Sequence, residues 1–88
     1  MIFVIITYDI GVKRVSKVMK ICRKYLKHIQ KSVFEGYVSE KQLESLKKEL
    51  KGCIYCNEDS IMVYRFDSTK YANKESFGKV LMSNENIL

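Results

Sequence analysis

Three sets of side chains in this 88-residue sequence could do chemistry: an aspartate closing an apolar run, a block of basic residues without acids, and a pair of cysteines. Asp9 follows Ile2, Phe3, Val4, Ile5 and Ile6, with Thr7 and Tyr8 turning the run polar and Gly11 supplying a bend beyond it. An unbroken β-branched and aromatic run predicts a central strand covered on both faces. Asp9 then sits at the strand's C-terminal end, where carboxylates often hold a divalent metal. The competing reading makes Asp9 a turn residue that helps to start the next helix.

The basic block runs from Ile10 to Phe34 and contains no Asp or Glu, while Lys13, Arg14, Lys17, Lys20, Arg23, Lys24, Lys27 and Lys31 supply eight positive charges. The remaining eight basic residues face ten acidic ones, so this segment carries the whole excess behind the formal charge of +6. Lys13, Lys17, Lys20, Lys24 and Lys27 recur at helical spacing and form a stripe. Such a stripe is either a solvated face or a track for a polyanion, and the absence of acids to pair with it favours the track.

Cys53 and Cys56 form a CxxC. Zinc would require four ligands, and only Cys22 and His28 remain, at no recognised zinc spacing. A redox CxxC opens a helix after a strand, whereas this one follows Gly52, where a helix is expected to end. Structural or incidental thiols are therefore expected, and three cysteines, an odd number, suit a reducing compartment. The apolar start is too short to cross a membrane and lacks the positive flank of a signal peptide, so a cytoplasmic protein with no membrane partner is expected.

The elements that must position these residues follow from periodicity. Val15, Val18, Met19, Cys22 and Leu26 mark one face of a first helix over Lys13 to Lys27. His28 to Val38 (HIQKSVFEGYV) has the content of extended chain with a bulge or bend at Gly36, either one kinked strand or two short strands joined tightly. Ser39 and Gln42 make a capping box, Val38 and Leu43 a hydrophobic staple, and Leu43, Leu46 and Leu50 the buried stripe of a second helix. Glu44 and Lys48 are spaced for an ion pair, and Gly52 sits where a C′ residue would. Ser60 to Phe66 predicts a further strand, and Phe77 to Met82 a short last one with little core of its own. The order strand, helix, extended ribbon, helix, strand, short strand predicts an α+β ferredoxin-like, split βαβ sandwich: an antiparallel sheet with two helices on one face. One domain spans residues 1–88, with a core over 1–76 and a C-terminal strand and tail over 77–88 that packs on a dimer partner. A domain of this size has a high surface-to-volume ratio, which self-association would relieve.

Tyr8-Asp9-Ile10, Arg14 opening a basic helix, IQKSVFEG at Ile29 to Gly36 and DSIMVYRF at Asp59 to Phe66 together resemble the small CRISPR-associated endoribonuclease family, the second of the two universal spacer-acquisition Cas proteins. The similarity covers nearly the whole chain. It implies a homodimer in which the strand-end aspartate of each subunit, here Asp9, approaches the dyad so that the pair binds one Mg²⁺ or Mn²⁺ for phosphodiester cleavage. One carboxylate is a poor Mg²⁺ site, while two with waters and a substrate phosphate can complete an octahedron. The resemblance also implies substrate-handling roles for Tyr8, Arg14, Ser32 and Phe34. His28 stands where relatives carry arginine, an imidazole in place of a permanent cation, and the loop between Asp9 and Arg14 is short. The nucleic-acid-binding set is therefore Tyr8, Lys13, Arg14, Lys17, Lys20, Lys24, His28, Ser32 and Phe34, with Asp9 as catalytic residue and metal ligand.

The resemblance supports two functional classes. One is a metal-dependent endonuclease acting on single-stranded RNA or duplex DNA alongside a partner CRISPR-associated integrase. The other is a non-catalytic dimer that bridges integrase subunits and prespacer DNA. A ribonuclease toxin of the virulence-associated D type shares the fold, but the IQKSVFEG segment argues against it.

Overall fold

The computed structural model describes residues 1–68 and 71–79. Strand β1 (Ile2–Asp9) is followed by helix α1 (Val12–Arg23), strands β2 (Lys27–Gln30) and β3 (Val33–Val38), helix α2 (Glu40–Cys53), and strands β4 (Ser60–Ser68) and β5 (Tyr71–Gly78). The strands form one sheet in the order β2-β3-β1-β4-β5, with every neighbouring pair antiparallel. This is the expected ferredoxin-like α+β arrangement, with the apolar first strand at its centre.

Alternation along β1 divides its side chains between two environments. Ile2, Val4, Ile6 and Tyr8 are buried beneath the helices, where they meet Val18, Ile21 and Cys22 of α1, Leu43, Leu46 and Leu50 of α2, Phe34 and Val38 of β3, and Ile61 and Val63 of β4. Phe3, Ile5 and Thr7 point the other way and are only half-buried, because neither helix covers that face. The expectation of a strand covered on both faces is thus met on one face only. The outer face continues through Tyr37 and Phe66, whose rings lie 5.0 and 6.0 Å from that of Phe3.

Both helices begin close to where the sequence places them, and α2 is closed by the expected capping box: Ser39 Oγ accepts from the Gln42 amide and Gln42 Oε1 from the Ser39 amide. Their ends differ. Helix α1 stops at Arg23, not Lys27, because the Lys24 amide turns back to the Ile21 carbonyl and those of Tyr25 and Leu26 to Cys22, a tightened turn that frees Lys27 to begin β2. Gly52 lies within α2, which runs on to Cys53. Glu44 pairs with Lys47 instead of Lys48, and Lys47 also reaches Glu75 on β5.

The extended ribbon is two strands joined through Lys31 and Ser32, and its bulge falls between His28 and Gln30, not at Gly36. Gly36 has a packing role: a Cβ there would stand 3.2 Å from Leu26 Cδ2, so the bare position lets the buried Leu26 lie against β3. The last strand begins six residues earlier than expected and pairs with β4 of its own chain, Phe77 opposite Ile61, with Phe77 packed on the core. Phe77 is therefore not left for a partner to cover; the expected strand positions Val80, Leu81 and Met82 lie outside the described residues.

Candidate metal ligand and nucleic-acid interface

Asp9 ends β1 opposite Ser60 and is exposed, on the same side of the sheet as Phe3, Ile5 and Thr7 by alternation. No group of three or more His, Cys, Asp or Glu side chains that could hold a metal occurs among the described residues. The neighbouring acid, Asp59, offers nothing to a metal. Wholly buried, it accepts from the Gly11 amide at 2.8 Å, the Tyr55 amide at 2.9 Å, and Arg14 Nε at 2.6 Å and Nη2 at 3.0 Å. A single protomer thus presents one free carboxylate at this strand end, a donor set that fits a hard divalent cation only when a second copy adds its own.

The same network decides what Arg14 does. Its guanidinium is bound to Asp59, reaches Glu58 Oε1 at 2.9 Å, and lies 4.0 Å above the Tyr55 ring. It ties the β1–α1 bend to the α2–β4 loop and has little left to offer a phosphate. Asp59 is held well below the usual carboxylate range, first by the Arg14 hydrogen bonds and then by the two backbone amides, which outweigh the cost of burial. Gly11 is fixed by this arrangement too, since a Cβ there would come within 2.5 Å of Arg14 Nη2. Asp59 and Tyr55 are the site residues that sequence reasoning passed over. Their one signal was an acid placed just before an apolar strand, in a loop entered through the CxxC.

Tyr8, Phe34, His28 and Ser32 come together at the end of the sheet where β2 turns into β3. The Tyr8 hydroxyl donates to the Lys31 carbonyl at 3.1 Å, and the Tyr8 amide to the Ser32 carbonyl at 3.2 Å. The rings stack in series, Tyr8 on Phe34 at 6.1 Å and Phe34 on His28 at 4.5 Å with 13° between planes. Phe34 and Tyr8 are buried and His28 is exposed, so the two inner rings act as a support and the imidazole is the member that meets solvent. Burial raises the Tyr8 phenol above its ordinary value, which keeps it a neutral donor to the turn.

Of the lysine stripe, Lys13, Lys17 and Lys20 are exposed on α1. Lys24 is taken up by Glu49 of α2, which also accepts from the Tyr25 hydroxyl; these bonds raise the Lys24 ammonium and lower the Glu49 carboxyl. Lys27 belongs to β2, where with Lys31 it adds positive charge beside His28. Cys22 and Cys53 are not activated thiols: burial pushes Cys22 up to about 12 and raises Cys53 as well.

The structure is thus a small ferredoxin-like α+β domain with an uncovered apolar sheet face, an exposed strand-end aspartate and a cationic helix. Residues 1–74 match the family described as CRISPR associated protein Cas2. The chain belongs to that family. It is 47% identical over 76 residues to a Thermotoga maritima protein named CRISPR-associated endoribonuclease Cas2, covering 86% of this chain and 87% of the relative. A Dictyoglomus turgidum protein of the same name is 40% identical over 86 residues, covering 98% and 99%. Among solved structures, a Cas2 crystal structure superposes with a TM-score of 0.73 at 38% identity, covering 80% of this chain and 79% of that one. Streptococcus pyogenes Cas2 at pH 6.5 gives 0.65 at 31% identity, covering 77% and 87%. Among the described residues no helix is long and apolar enough to cross a membrane.

Proposed function

We propose that the protein is a divalent-metal-dependent endonuclease of CRISPR spacer acquisition, working as a homodimer on single-stranded RNA or duplex DNA beside a partner integrase. The relatives' names support endoribonuclease activity. The observation that carries the metal reading is the position of Asp9: exposed, at the end of β1, and on the side of the sheet that the helices leave uncovered. Two such faces packed about a twofold axis would bring two Asp9 carboxylates toward each other, which meets the need for a second donor. The Asp9 pair would hold Mg²⁺ or Mn²⁺, which when bound supplies charge neutralisation at the phosphodiester and activation of water. Lys13, Lys17 and Lys20 bind the flanking phosphates, and His28 with Lys31 extends that track around the β2–β3 turn. Asp59 and Arg14 hold the Asp9 bend in place without touching the substrate.

The alternative is a dimer that bridges integrase subunits and prespacer DNA without cutting. It is supported by the same surface lysines, which need no metal, and by the lone carboxylate of each protomer. Asp9→Asn separates the two, because it removes the charge and keeps the shape. Metal-dependent cleavage should fall roughly a thousandfold or more while assembly with the integrase persists. Cleavage by Asp9→Asn at the wild-type rate would refute the metal site, and a wild-type protein inert with both metals on both substrates would leave the bridging function.

A further inference from the structure

Tyr55 is fixed without being buried. Its amide is held by Asp59 Oδ2 at 2.9 Å and its ring by the Arg14 guanidinium at 4.0 Å, yet 57% of its surface is exposed. Aromatic rings are usually immobilised by packing; one held rigid by polar neighbours keeps a face for something else. Val12, 91% exposed, lines an open cavity of 440 Å³ together with Tyr55, Gly11, Lys13, Arg14 and Glu58. This cavity lies at the Asp9 end of the sheet, since Gly11 follows Asp9 by two residues and Glu58 precedes its strand partner Ser60 by two.

The charges around the cavity cancel. Arg14 is matched by Asp59 and Glu58, and Lys13 brings the sum to zero. A neutral cavity with an aromatic ring in its wall suits an uncharged planar group more than a phosphate. Outside it the charge is one-sided, because Lys17 and Lys20 lead away along a helix whose sequence neighbourhood has no acid from Ile10 to Phe34. A planar neutral group attached to a chain of anions is a nucleotide within a strand.

Building on the endonuclease reading, we propose that Tyr55 is a nucleobase-stacking platform that receives an unpaired base next to the Asp9 site, making single-stranded nucleic acid the preferred substrate. The guanidinium behind the ring fixes its plane, Val12 adds apolar surface to the same cavity, and the lysines of α1 carry the adjoining phosphates. A base held in a duplex stack cannot enter without being splayed out.

The chain contains no tryptophan, so Tyr55→Trp places a single reporter in the platform. In EDTA, where cleavage plays no part, single-stranded RNA and single-stranded DNA of equal length should each quench its fluorescence on binding. Blunt duplex and inorganic polyphosphate, which offer phosphates without free bases, should bind without quenching. Tyr55→Ala should weaken single-strand binding about tenfold and leave polyphosphate binding unchanged, with Tyr55→Phe close to wild type. Wild-type affinity in Tyr55→Ala, or quenching as strong with polyphosphate as with RNA, would overturn the platform while leaving the Asp9 reading intact. A wild-type protein that bound no nucleic acid would overturn both. Loss of integrase assembly in Tyr55→Ala with RNA binding unchanged would instead make this surface a protein contact.

Discussion

The residue that most constrains the site is Asp59, a wholly buried acid satisfied by Arg14 and by the amides of Gly11 and Tyr55. Asp59→Asn removes the charge that compensates Arg14 and should cost roughly 3 kcal/mol, since breaking one side of a buried pair is far more costly than the pair is worth. At that size the Tm should fall by more than about 10 °C. The pH dependence has a definite sign. Because the folded carboxyl is held below its unfolded value of about 3.9, its contribution is fully present above that pH and is lost as the pH falls through the folded value. Urea titrations between pH 7 and pH 2 should therefore show wild type losing stability faster than Asp59→Asn at the acid end. Parallel curves would mean that Asp59 does not govern acid unfolding.

Among the elements, α1 is where sequence and structure agree on location and part on content. The stripe was legible as five lysines at alternating four- and three-residue spacing, but spacing cannot reveal that the helix ends at Arg23 or that Lys24 meets Glu49 from α2, because both depend on tertiary neighbours. Arg14 is the same lesson in the site: it opens the helix as expected, and its partner lies 45 residues away. The strand core, the helix stripes and the α2 capping box were readable because they are local and periodic. Strand β5 was not, since YANKESFG is mostly polar and is held by β4 pairing, with Phe77 packed on the core. For the stripe the expected outcome is graded. Lys17→Glu with Lys20→Glu should weaken nucleic-acid binding and flatten the dependence of log K on log salt by roughly 0.7 to 0.9 for each phosphate no longer neutralised. Lys24→Glu should disturb stability as well, by setting a second carboxylate against that of Glu49. Unchanged binding in the double variant would reduce the stripe to a solvated face.

For the molecule as a whole, the decisive asymmetry is a sheet with helices on one side and Phe3, Ile5, Tyr37 and Phe66 on the other. Contiguous apolar surface of this kind suits the face-to-face dimer proposed above. Ile5→Glu places a charge at its centre without touching the helix-side core, so the protein should stay folded by circular dichroism and sediment as a monomer, with wild type a dimer at micromolar concentration. A wild-type monomer would refute face-to-face pairing and, with it, the shared metal. The β2 edge completes the picture. Its four residues are all exposed, cationic at Lys27 with Lys31 just beyond, and interrupted by a bulge after His28. Such a border repels a like border and breaks the ladder that another chain would need to extend. Growth by lateral strand addition is blocked there, so copies gathered on the proposed nucleic acid would stay discrete particles instead of seeding fibres.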